Sequence, residues 1–484
     1  MKYFAALIVS LLSTAALAEA PPNFVFVLVD DLGRQDVGVY GSSLYETPNM
    51  DRLAADGMRF DNAYVAHPRC LPSRLAYLSG RYPASFGIPG FQDRKQTKHA
   101  LPLETVTFGE VLQEAGYETG YIGKWHLGKT GGEPLYQGFG TSIMAGASGA
   151  PPSYFWPYEK RGGDDSGKAF EPYSGGQEGE YLVDRMTDEA LQFIEDKKDA
   201  PFLLVLAHYA VHTPIQAPEE LSDKYRDKIK ETDVPEGGPR SDLDVAVDNT
   251  GQYKTVQNNA VYAAMVDSVD TNLGRIIERL EELGLTDNTV VVLTSDHGGL
   301  SSRGVESKRE LATSNLPYRH GKGWLYDGGI RVPMIVKWPI GIEAGSVSQV
   351  QVTGTDHFPS LLEMAGLPLQ PDHHRDGRSY LAALKGGEYV RDPMFFHSSL
   401  GRPSQTGDTR SSAVIHGDWK LIQWYSLEDE SIERTELFNL SQDLAEQNDL
   451  YAGQTEKARE LETLLNDWKK SVNARLGQFK KGGV

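Results

Sequence analysis

The feature that most constrains the fold is a set of short apolar runs that end abruptly in polar residues. Asn23–Val29 is apolar and rich in β-branched side chains, and Asp30 and Asp31 follow it directly. An uninterrupted run of this kind is typical of a strand buried on both faces of a mostly parallel sheet. Similar runs occur at Phe202–Leu206, Val290–Ser295 and Val332–Val336. The sequence therefore predicts a buried central sheet.

Helical patterns separate these runs. Thr107–Ala115 stops at Gly116, and Tyr262–Leu283 stops at Gly284, as helices often do. The apolar residues of Tyr262–Leu283 recur with the 3.6-residue period of an amphipathic helix. Alternating strands and helices predict an α/β fold with a doubly wound, mostly parallel sheet.

Beyond about residue 375 the pattern changes. Ala413–Trp424 predicts two strands around a turn at Gly417 and Asp418, and Thr435–Asn439 predicts a third strand. A helix follows, with Leu461, Leu464, Leu465 and Trp468 on one face. We therefore expect a large α/β domain over residues 21–375, and a smaller antiparallel sheet with a C-terminal helix over residues 376–484.

Residues 1–20 have the pattern of a cleaved export signal, with Lys2, an apolar run and the small residues Ala16 and Ala18. No later stretch approaches 18 apolar residues, so we expect no membrane anchor. The single cysteine, Cys70, cannot form an internal disulfide. It is either buried and inert or kept for chemistry. The short signal and the lack of disulfides favour a bacterial protein that is periplasmic or secreted.

The chain is strongly acidic. It has 48 Lys and Arg residues against 67 Asp and Glu residues, a formal net charge of −19. This charge disfavours nucleic acids and anionic membrane surfaces as partners. An anionic ligand would need a locally basic site.

Polar residues follow three of the predicted strands. Asp30 and Asp31 follow the first, His208 and His212 follow Phe202–Leu206, and Asp296 and His297 follow Val290–Ser295. Ligands of open α/β sheets bind beyond the carboxyl ends of the strands, so we expect these side chains to meet. Carboxylate-rich groups of this kind suit Ca²⁺ or Mg²⁺. Asp residues after strands also cap turns, but two such pairs favour a metal site.

The most specific motif surrounds Cys70. Cys70-Leu71-Pro72-Ser73-Arg74 matches the C-x-P-S-R signature of the type I sulfatases, and Ser79-Gly80-Arg81 follows in the expected place. Further matches lie at Val29–Gly33, Gly123–Gly128, Ala210–Pro214, Thr294–Gly299, Gly321-Lys322 and Gly328–Pro333. From residue 23 to about 440 the chain resembles these formylglycine-dependent enzymes. The resemblance implies an alkaline phosphatase-like α/β fold.

The resemblance also implies a cofactor and a modification. A maturation enzyme would oxidise Cys70 to Cα-formylglycine, whose hydrate is the nucleophile. A Ca²⁺ ion, or less suitably Mg²⁺, would be held by Asp30, Asp31, Asp296, His297 and the modified Cys70. Many relatives carry Asn or Gln where this chain has His297. Because nitrogen is a less natural Ca²⁺ ligand, His297 either ligates the metal or contacts the sulfate.

Other motif residues match catalytic positions of the family. Lys124 and Lys322 correspond to the lysines that grip the sulfate, and Arg74, one helical turn beyond Cys70, would steady the hydrate. The family pattern puts the general acid for the leaving alcohol on His212. It puts the base that deprotonates the second hydroxyl, so that sulfate is expelled, on His126.

Substrate preference is expected to lie in the loops. The aromatic cluster Pro151–Tyr158, with Tyr154 and Trp156, is either a platform for sugar rings or a small core under the loop. Basic residues precede Lys322 at Arg303, Lys308, Arg309, Arg319 and His320. They would bind further sulfate or uronate groups, unless they form a solvated loop with Glu306 and Glu310. Arg34, Asp36, His67 and Arg69 flank the two nucleophile-side motifs and are further candidates.

These observations predict an enzyme that hydrolyses sulfate monoesters of sulfated poly- or oligosaccharides and releases inorganic sulfate. One alternative is a phosphate or phosphonate monoester hydrolase of the same superfamily. Another is a non-catalytic sulfoglycan-binding protein that leaves Cys70 as a thiol. The presence of both predicted proton-transfer residues, His126 and His212, argues against a pure binder.

Overall fold

The computed structural model describes residues 20–87, 101–128, 131–159, 176–237, 244–248 and 251–477. The predicted export signal lies outside these residues except for Ala20. Within the described ranges, none of the helices has both the length and the apolar character that crossing a membrane requires.

The strands follow one another in chain order. They are β1 (Asn23–Val29), β2 (Met58–Tyr64), β3 (Glu118–Gly123), β4 (Thr141–Ile143), β5 (Phe202–Ala207), β6 (Val245–Val247), β7 (Gln252–Lys254), β8 (Thr289–Ser295), β9 (Ser302–Arg303), β10 (Met334–Lys337), β11 (Ser346–Thr353), β12 (Met394–Ser398), β13 (Ser411–His416), β14 (Trp419–Tyr425) and β15 (Ile432–Asn439).

The helices are numbered in the same way. They are α1 (Pro48–Ala55), α2 (Cys70–Ser79), α3 (Phe108–Glu114), α4 (Leu182–Lys197), α5 (Glu219–Lys230), α6 (Ala260–Glu282), α7 (Asp327–Ile330), α8 (His357–Met364), α9 (Leu381–Leu384) and α10 (Thr455–Ser471).

The central sheet joins eight strands of the described chain in the order β11-β2-β10-β8-β1-β5-β3-β4. β1 lies between β5 and β8 and is parallel to both. β10 is antiparallel to its two neighbours, β8 and β2. The predicted mostly parallel α/β sheet is therefore confirmed. The exception is the run predicted at Val332–Val336, whose chain returns from the carboxyl edge of β8 without a crossover and so runs in the opposite direction.

Helices cover both faces of this sheet. Phe24, Phe26 and Leu28 point to the face covered by α2, α3 and α8, whereas Val25 and Val27 point to the face covered by α1, α4, α5 and α6. The β1 side chains are buried throughout, as expected for a strand with two covered faces. The sheet is therefore doubly wound.

A second, four-stranded antiparallel sheet has the order β12-β13-β14-β15. β13 and β14 meet at the turn predicted around Gly417, whose φ of 57° lies in the left-handed region. Leu461 and Leu465 of α10 pack with Val414 and Leu421 of this sheet. The predicted smaller sheet and C-terminal helix are confirmed, and the boundary at residue 375 stays a prediction. A third, three-stranded sheet has the order β6-β7-β9.

Candidate active site

The carboxyl ends of β1 and β8 place four of the predicted residues side by side. Asp30 and Asp31 follow β1, and Asp296 and His297 follow β8. The Asp31 backbone N–H donates to Asp296 Oδ1 at 3.3 Å, which links the two strand ends. Asp31 has a φ of 62°, a left-handed conformation that costs a non-glycine residue about 1–2 kcal/mol. Such conformations persist where the surroundings hold the residue in place, as they do at functional sites.

β3 and β5 supply the next residues of the same edge. Lys124 follows β3, and its backbone N–H donates to Ala207 O at 2.7 Å. The segment after β5 returns to β1, because the Val211 N–H donates to Asp30 O at 2.7 Å. His212 is therefore held beside the Asp30 loop. His126, like Asp31, has a positive φ, of 66°.

The nucleophile candidate begins a helix at this edge. Cys70 is the first residue of α2, a helix whose residues are all buried. The segment that carries Lys322 is held beside Cys70 by two backbone hydrogen bonds. The Lys322 N–H donates to Gly299 O at 3.0 Å, and the Gly323 N–H donates to Pro68 O at 2.8 Å. Lys322 Nζ lies 3.5 Å from Cys70 Sγ.

Arg74 of α2 makes two buried contacts with other residues of the site. Its Nε donates to Asp296 Oδ2 at 2.9 Å, and its Nη1 donates to Lys124 O at 2.6 Å. Arg74 and Asp296 are both almost fully buried. A single guanidinium group thus connects the nucleophile helix to the ends of β3 and β8.

Cationic and imidazole groups surround the Cys70 thiol. His297 Nε2 lies 3.1 Å from Sγ, and the side chain of His126 hydrogen-bonds to the thiol. Burial raises the pKa of Cys70, but the charges of Lys124 and Lys322 outweigh burial and hold this pKa well below its ordinary value. The surroundings therefore stabilise a negative charge on Sγ.

Four acidic or imidazole side chains and Cys70 form the predicted metal site. The candidate ligand atoms of Asp30, Cys70, Asp296 and His297 all lie within 4.8 Å of one another. Asp30 Oδ1 and Asp31 Oδ2 are buried and accept no hydrogen bond among the described residues. Unsatisfied buried carboxylate oxygens are costly, and a divalent cation would satisfy them. The residues present fit such an ion.

The pKa values of two carboxylates in this cluster, Asp30 and Asp31, are shifted in opposite directions. Burial raises the pKa of Asp30 well above its ordinary value, and the negative charge of Asp296 adds to this effect. Burial opposes ionisation of Asp31 as well, but Lys322, whose Nζ lies 2.6 Å from Asp31 Oδ1, keeps the pKa of Asp31 below its ordinary value. Lys124, the ion-pair partner of Asp30, lowers this pKa but does not offset the effects of burial and of Asp296.

His212 is neutral in the site as described. Burial, followed by the charge of Lys322, lowers the pKa of His212 to about 3. Its Nδ1 lies 2.7 Å from Thr213 O, so Nδ1–H donates to this carbonyl and Nε2 is the nitrogen left for proton transfer.

Two predicted substrate residues are core residues. Tyr154 is fully buried, and its hydroxyl donates to Tyr209 O at 2.6 Å and to His212 O at 2.9 Å. His320 is also buried and stacks on Trp324, with ring centroids 4.2 Å apart. Both side chains are engaged within the protein, so the structure gives no support to substrate binding by Tyr154 and His320, which stays a prediction. Tyr154 holds the backbone of His212.

The other predicted substrate residues are spread over different places. Arg34 pairs with Asp61 at 3.3 Å in a cavity of about 510 Å³ that none of the site residues above lines. Trp156 is half-buried against the α4–α6 face of the sheet. Arg319 pairs with Asp248 and donates to Glu446 O. Only His67 is part of the Cys70 segment, where it is buried and its Nδ1 has no partner among the described residues.

Two residues near the site escaped the sequence analysis. Asp408 accepts from Nη2 of Arg69, the residue before Cys70, through both carboxylate oxygens at 2.6 and 2.7 Å. Arg402, in the same loop, acts electrostatically on Arg69 and Cys70. No motif marks this loop, which follows Cys70 by more than 300 residues, so only the folded chain reveals it.

Comparison with known proteins shows that the chain is similar to sulfatases over most of its length. Residues 22–367 match the family described as Sulfatase, and residues 319–473 match the family described as N-sulphoglucosamine sulphohydrolase, C-terminal. N-acetylgalactosamine-6-sulfatase of Canis lupus familiaris is 31% identical over 433 residues, covering 85% of this chain and 73% of the relative. Steryl-sulfatase of Homo sapiens is 29% identical over 455 residues, covering 78% and 72%. The crystal structure of Ps i-CgsB in complex with k-i-k-neocarrahexaose is 27% identical with a TM-score of 0.77, covering 95% of both chains.

Proposed function

The chain belongs to the sulfatase family and is a sulfuric ester hydrolase, and from this premise we propose that it cleaves sulfate esters of sulfated poly- or oligosaccharides with a formylglycine nucleophile made from Cys70. One observation carries the proposal. His126, His297 and Lys322 all approach the single thiol of the chain. An inert buried cysteine needs no such neighbours.

The modification changes what occupies the Sγ position. In a hydrated formylglycine an oxygen replaces the sulfur, so the contacts of Sγ stand in for those of a hydroxyl group. Lys322 Nζ, at 3.5 Å, and His297 Nε2, at 3.1 Å, would then adjoin the attacking oxygen. When bound, a Ca²⁺ ion, with Mg²⁺ less suitable, would be held by Asp30, Asp31, Asp296, His297 and the modified Cys70 and would supply Lewis-acid polarisation of a sulfate oxygen.

The two lysines bind the charge of the sulfate. Lys124 is paired with Asp30 and Lys322 with Asp31, so both ammonium groups are oriented before the substrate arrives. Positioned charges of this kind stabilise the negative charge that develops in a transition state without reorganisation. Arg74 does not need to touch the substrate, because its contacts with Asp296 and Lys124 O hold the other groups in place.

His212 and His126 move the two protons. On substrate binding, Nε2 of His212 takes up a proton from solvent and then passes it to the leaving alcohol, while Nδ1–H stays bound to Thr213 O. The depressed pKa of His212 arises from burial and then from Lys322, and a bound sulfate opposes the effect of Lys322, which makes His212 more basic when it is needed. His126, which hydrogen-bonds to Cys70, takes the proton from the second hydroxyl of the nucleophile.

The relatives support carbohydrate substrates. One relative is an N-acetylgalactosamine-6-sulfatase, and a similar structure holds a neocarrahexaose. A Steryl-sulfatase is similar at nearly the same identity, so the test must include a steroid sulfate.

Export and maturation complete the proposal. The pattern of residues 1–20 supports a periplasmic or secreted bacterial enzyme. The signature from Cys70 to Arg74 supports recognition by a formylglycine-generating enzyme.

The test uses protein whose conversion at Cys70 has been measured by peptide mass. Free sulfate is measured after incubation with sulfated hexosamines, sulfated oligosaccharides, a steroid sulfate and an aryl sulfate, and free phosphate with an aryl phosphate. We expect release from at least one saccharide and none from Cys70→Ala, which still binds that saccharide. Faster release of phosphate than of sulfate would overturn the proposal.

Metal dependence is tested on the same protein. Chelation should abolish sulfate release, and Ca²⁺ should restore it more fully than Mg²⁺. Full activity after removal of all divalent metal, verified by elemental analysis, would contradict the proposed role of Asp30, Asp31, Asp296 and His297.

A further inference from the structure

A group of arginines lies on segments that pack beside the nucleophile. Arg69 directly precedes Cys70, and its Nη2 is bound to the Asp408 carboxylate and to Thr406 Oγ at 3.0 Å. Its Nε and Nη1 are buried and have no hydrogen-bond partner among the described residues. Asp408 thus holds one nitrogen of the Arg69 guanidinium group and leaves the other two without a hydrogen-bond partner.

Two loops bring further guanidinium groups to Arg69. The Arg402 N–H donates to Asp408 O at 2.9 Å, and Arg402 O accepts from the N–H groups of Gln405, Thr406 and Gly407, which closes the first loop. The second loop carries Arg309, whose carbonyl oxygen accepts from Arg303 Nη1 at 3.2 Å. The loops are packed backbone to backbone, since the Gly304 N–H donates to Gln405 O and a Cβ on Gly304 would lie 1.9 Å from Pro403 O.

The contacts above pack the loops of Arg402 and Arg309 beside Arg69, and electrostatic effects agree with this placement. The positive charge of Arg69, followed by burial, lowers the pKa of Arg402 to about 10, whereas Asp408 and Cys70 act in the opposite direction. Burial lowers the pKa of Arg309, against the effects of Asp31 and Cys70. Both groups remain charged at neutral pH, and their charges act on the same site.

Neither Arg309 nor Arg402 has an ion-pair partner in the part of the chain that the structure describes. Asp408, the nearby acid, already binds Arg69 through both oxygens. Three half-buried or buried arginines against one carboxylate leave an excess of positive charge in a protein whose net charge is −19. Repulsion among them costs free energy unless an anion from outside balances it.

We propose that Arg309 and Arg402 form a second anion-binding site, next to the scissile sulfate, for another sulfate or carboxylate group on the same substrate. This inference rests on the proposed function and names its substrate class, a glycan with at least two anionic groups close together. The sulfate that is cleaved is already matched by Lys124 and Lys322. Guanidinium groups suit a second oxyanion because they can donate two parallel hydrogen bonds.

The test compares pairs of substrates that differ by one charge. One pair is a hexosamine with one sulfate and the same hexosamine with two. The other pair is a sulfated disaccharide with a uronate and its counterpart with the carboxylate reduced to an alcohol. The variants are Arg309→Gln and Arg402→Gln, and Arg375→Gln removes an exposed arginine elsewhere as a control. Because the two side chains have no ion partner to lose, the variants should melt at the temperature of the wild type.

We expect the wild type to have a higher kcat/KM for the more anionic member of at least one pair. Each variant should reduce this preference by about 10- to 100-fold, the range for one hydrogen bond to a charged group. The effect should lie mainly in KM, while kcat/KM for the less anionic member and for an aryl sulfate changes little. The pair that shows the preference tells a second sulfate from a uronate. Arg375→Gln should leave the preference intact.

Two results would overturn the inference. Equal loss on both members of a pair would mean that the arginines act on the scissile sulfate, and no preference in the wild type would mean that the second site does not exist. Binding of the same pairs to Cys70→Ala protein, measured by calorimetry, separates this failure from failure of the proposed function. If the converted enzyme releases no sulfate but Cys70→Ala protein binds the more anionic member of a pair more tightly, the second anion site is supported and the proposed hydrolysis is contradicted.

Discussion

Arg74 Nε lies 2.9 Å from Asp296 Oδ2, so the helix that begins at Cys70 is joined by a buried ion pair to the strand end that carries the predicted metal ligands. The same guanidinium donates to Lys124 O. A change at Arg74 therefore affects the proposed nucleophile, the carboxylates and the lysine proposed to bind sulfate together.

Arg74→Ala is expected to lower the free energy of unfolding by about 3–5 kcal/mol, because it leaves the Asp296 carboxylate buried without its partner. Arg74→Lys keeps the charge but cannot make both contacts, and we expect a smaller loss. Chemical denaturation of the two variants measures both values. Since Arg74 also belongs to the maturation signature, activity is compared only per converted Cys70. Equal stability of Arg74→Ala and the wild type would contradict this role.

His212→Ala should show its effect through the leaving group. A general acid matters most when the departing alcohol is a poor leaving group, so kcat on a sugar sulfate should fall about 10²- to 10⁴-fold. An activated aryl sulfate, whose phenolate leaves without help, should lose far less. The measurement is a plot of log kcat against the pKa of the leaving alcohol for a series of aryl sulfates. A slope that is the same in His212→Ala as in the wild type would assign the acid to another residue.

A buried ion network joins β14 of the second sheet to α7. Lys420 of β14 is fully buried and pairs with Asp327 at 2.8 Å and with Glu446 at 2.7 Å. Lys420→Met should lower the free energy of unfolding by about 3–5 kcal/mol, because Glu446 would lose its buried cation and Asp327 would keep only Arg331. Adding Glu446→Gln, at a position where burial raises the pKa to about 7, should recover part of the loss.

Lys337→Met serves as the matched control for this network. Lys337 is a mostly buried lysine, but its partner, Asp56, is 40% exposed and stays hydrated after the change. We expect a loss of about 1 kcal/mol or less. Similar losses for Lys420→Met and Lys337→Met would mean that the buried network contributes little.

The buried carboxyl group of Asp36 should make the stability of the protein depend on pH. It accepts hydrogen bonds from Gly33 N, Tyr262 Oη and Thr313 Oγ, yet burial raises its pKa from 3.8 to about 6. The folded state therefore binds the proton more tightly than the unfolded state does. The stability that this proton contributes is present below about pH 4 and is lost as the pH rises to about 6, by about 3 kcal/mol.

The measurement compares the wild type with Asp36→Asn from pH 4 to pH 7. Asparagine cannot ionise, so the stability advantage of the wild type over the variant should shrink over this interval. Other titrating groups cancel in the difference between the two proteins. A difference in melting temperature that is constant from pH 4 to pH 7 would show that Asp36 is ionised throughout.

The sequence alone determined the strands and the residues at their ends. Asn23–Val29 forms β1 with the predicted bounds, and Asp30, Asp31, Asp296 and His297 meet at its carboxyl edge. Apolar runs and motifs are local, and a parallel sheet brings the ends of its neighbouring strands together whatever the loops do. These parts of the site could therefore be predicted without coordinates.

The tertiary structure decided which loop residues reach the site. Arg402 and Asp408 come to Arg69 from the far end of the chain, whereas Arg34 faces a different cavity and Tyr154 is buried behind His212. Composition and spacing carry no information on such contacts, because they depend on how long loops pack against one another. The catalytic groups follow from local pattern, and the groups around the substrate follow from packing between distant segments.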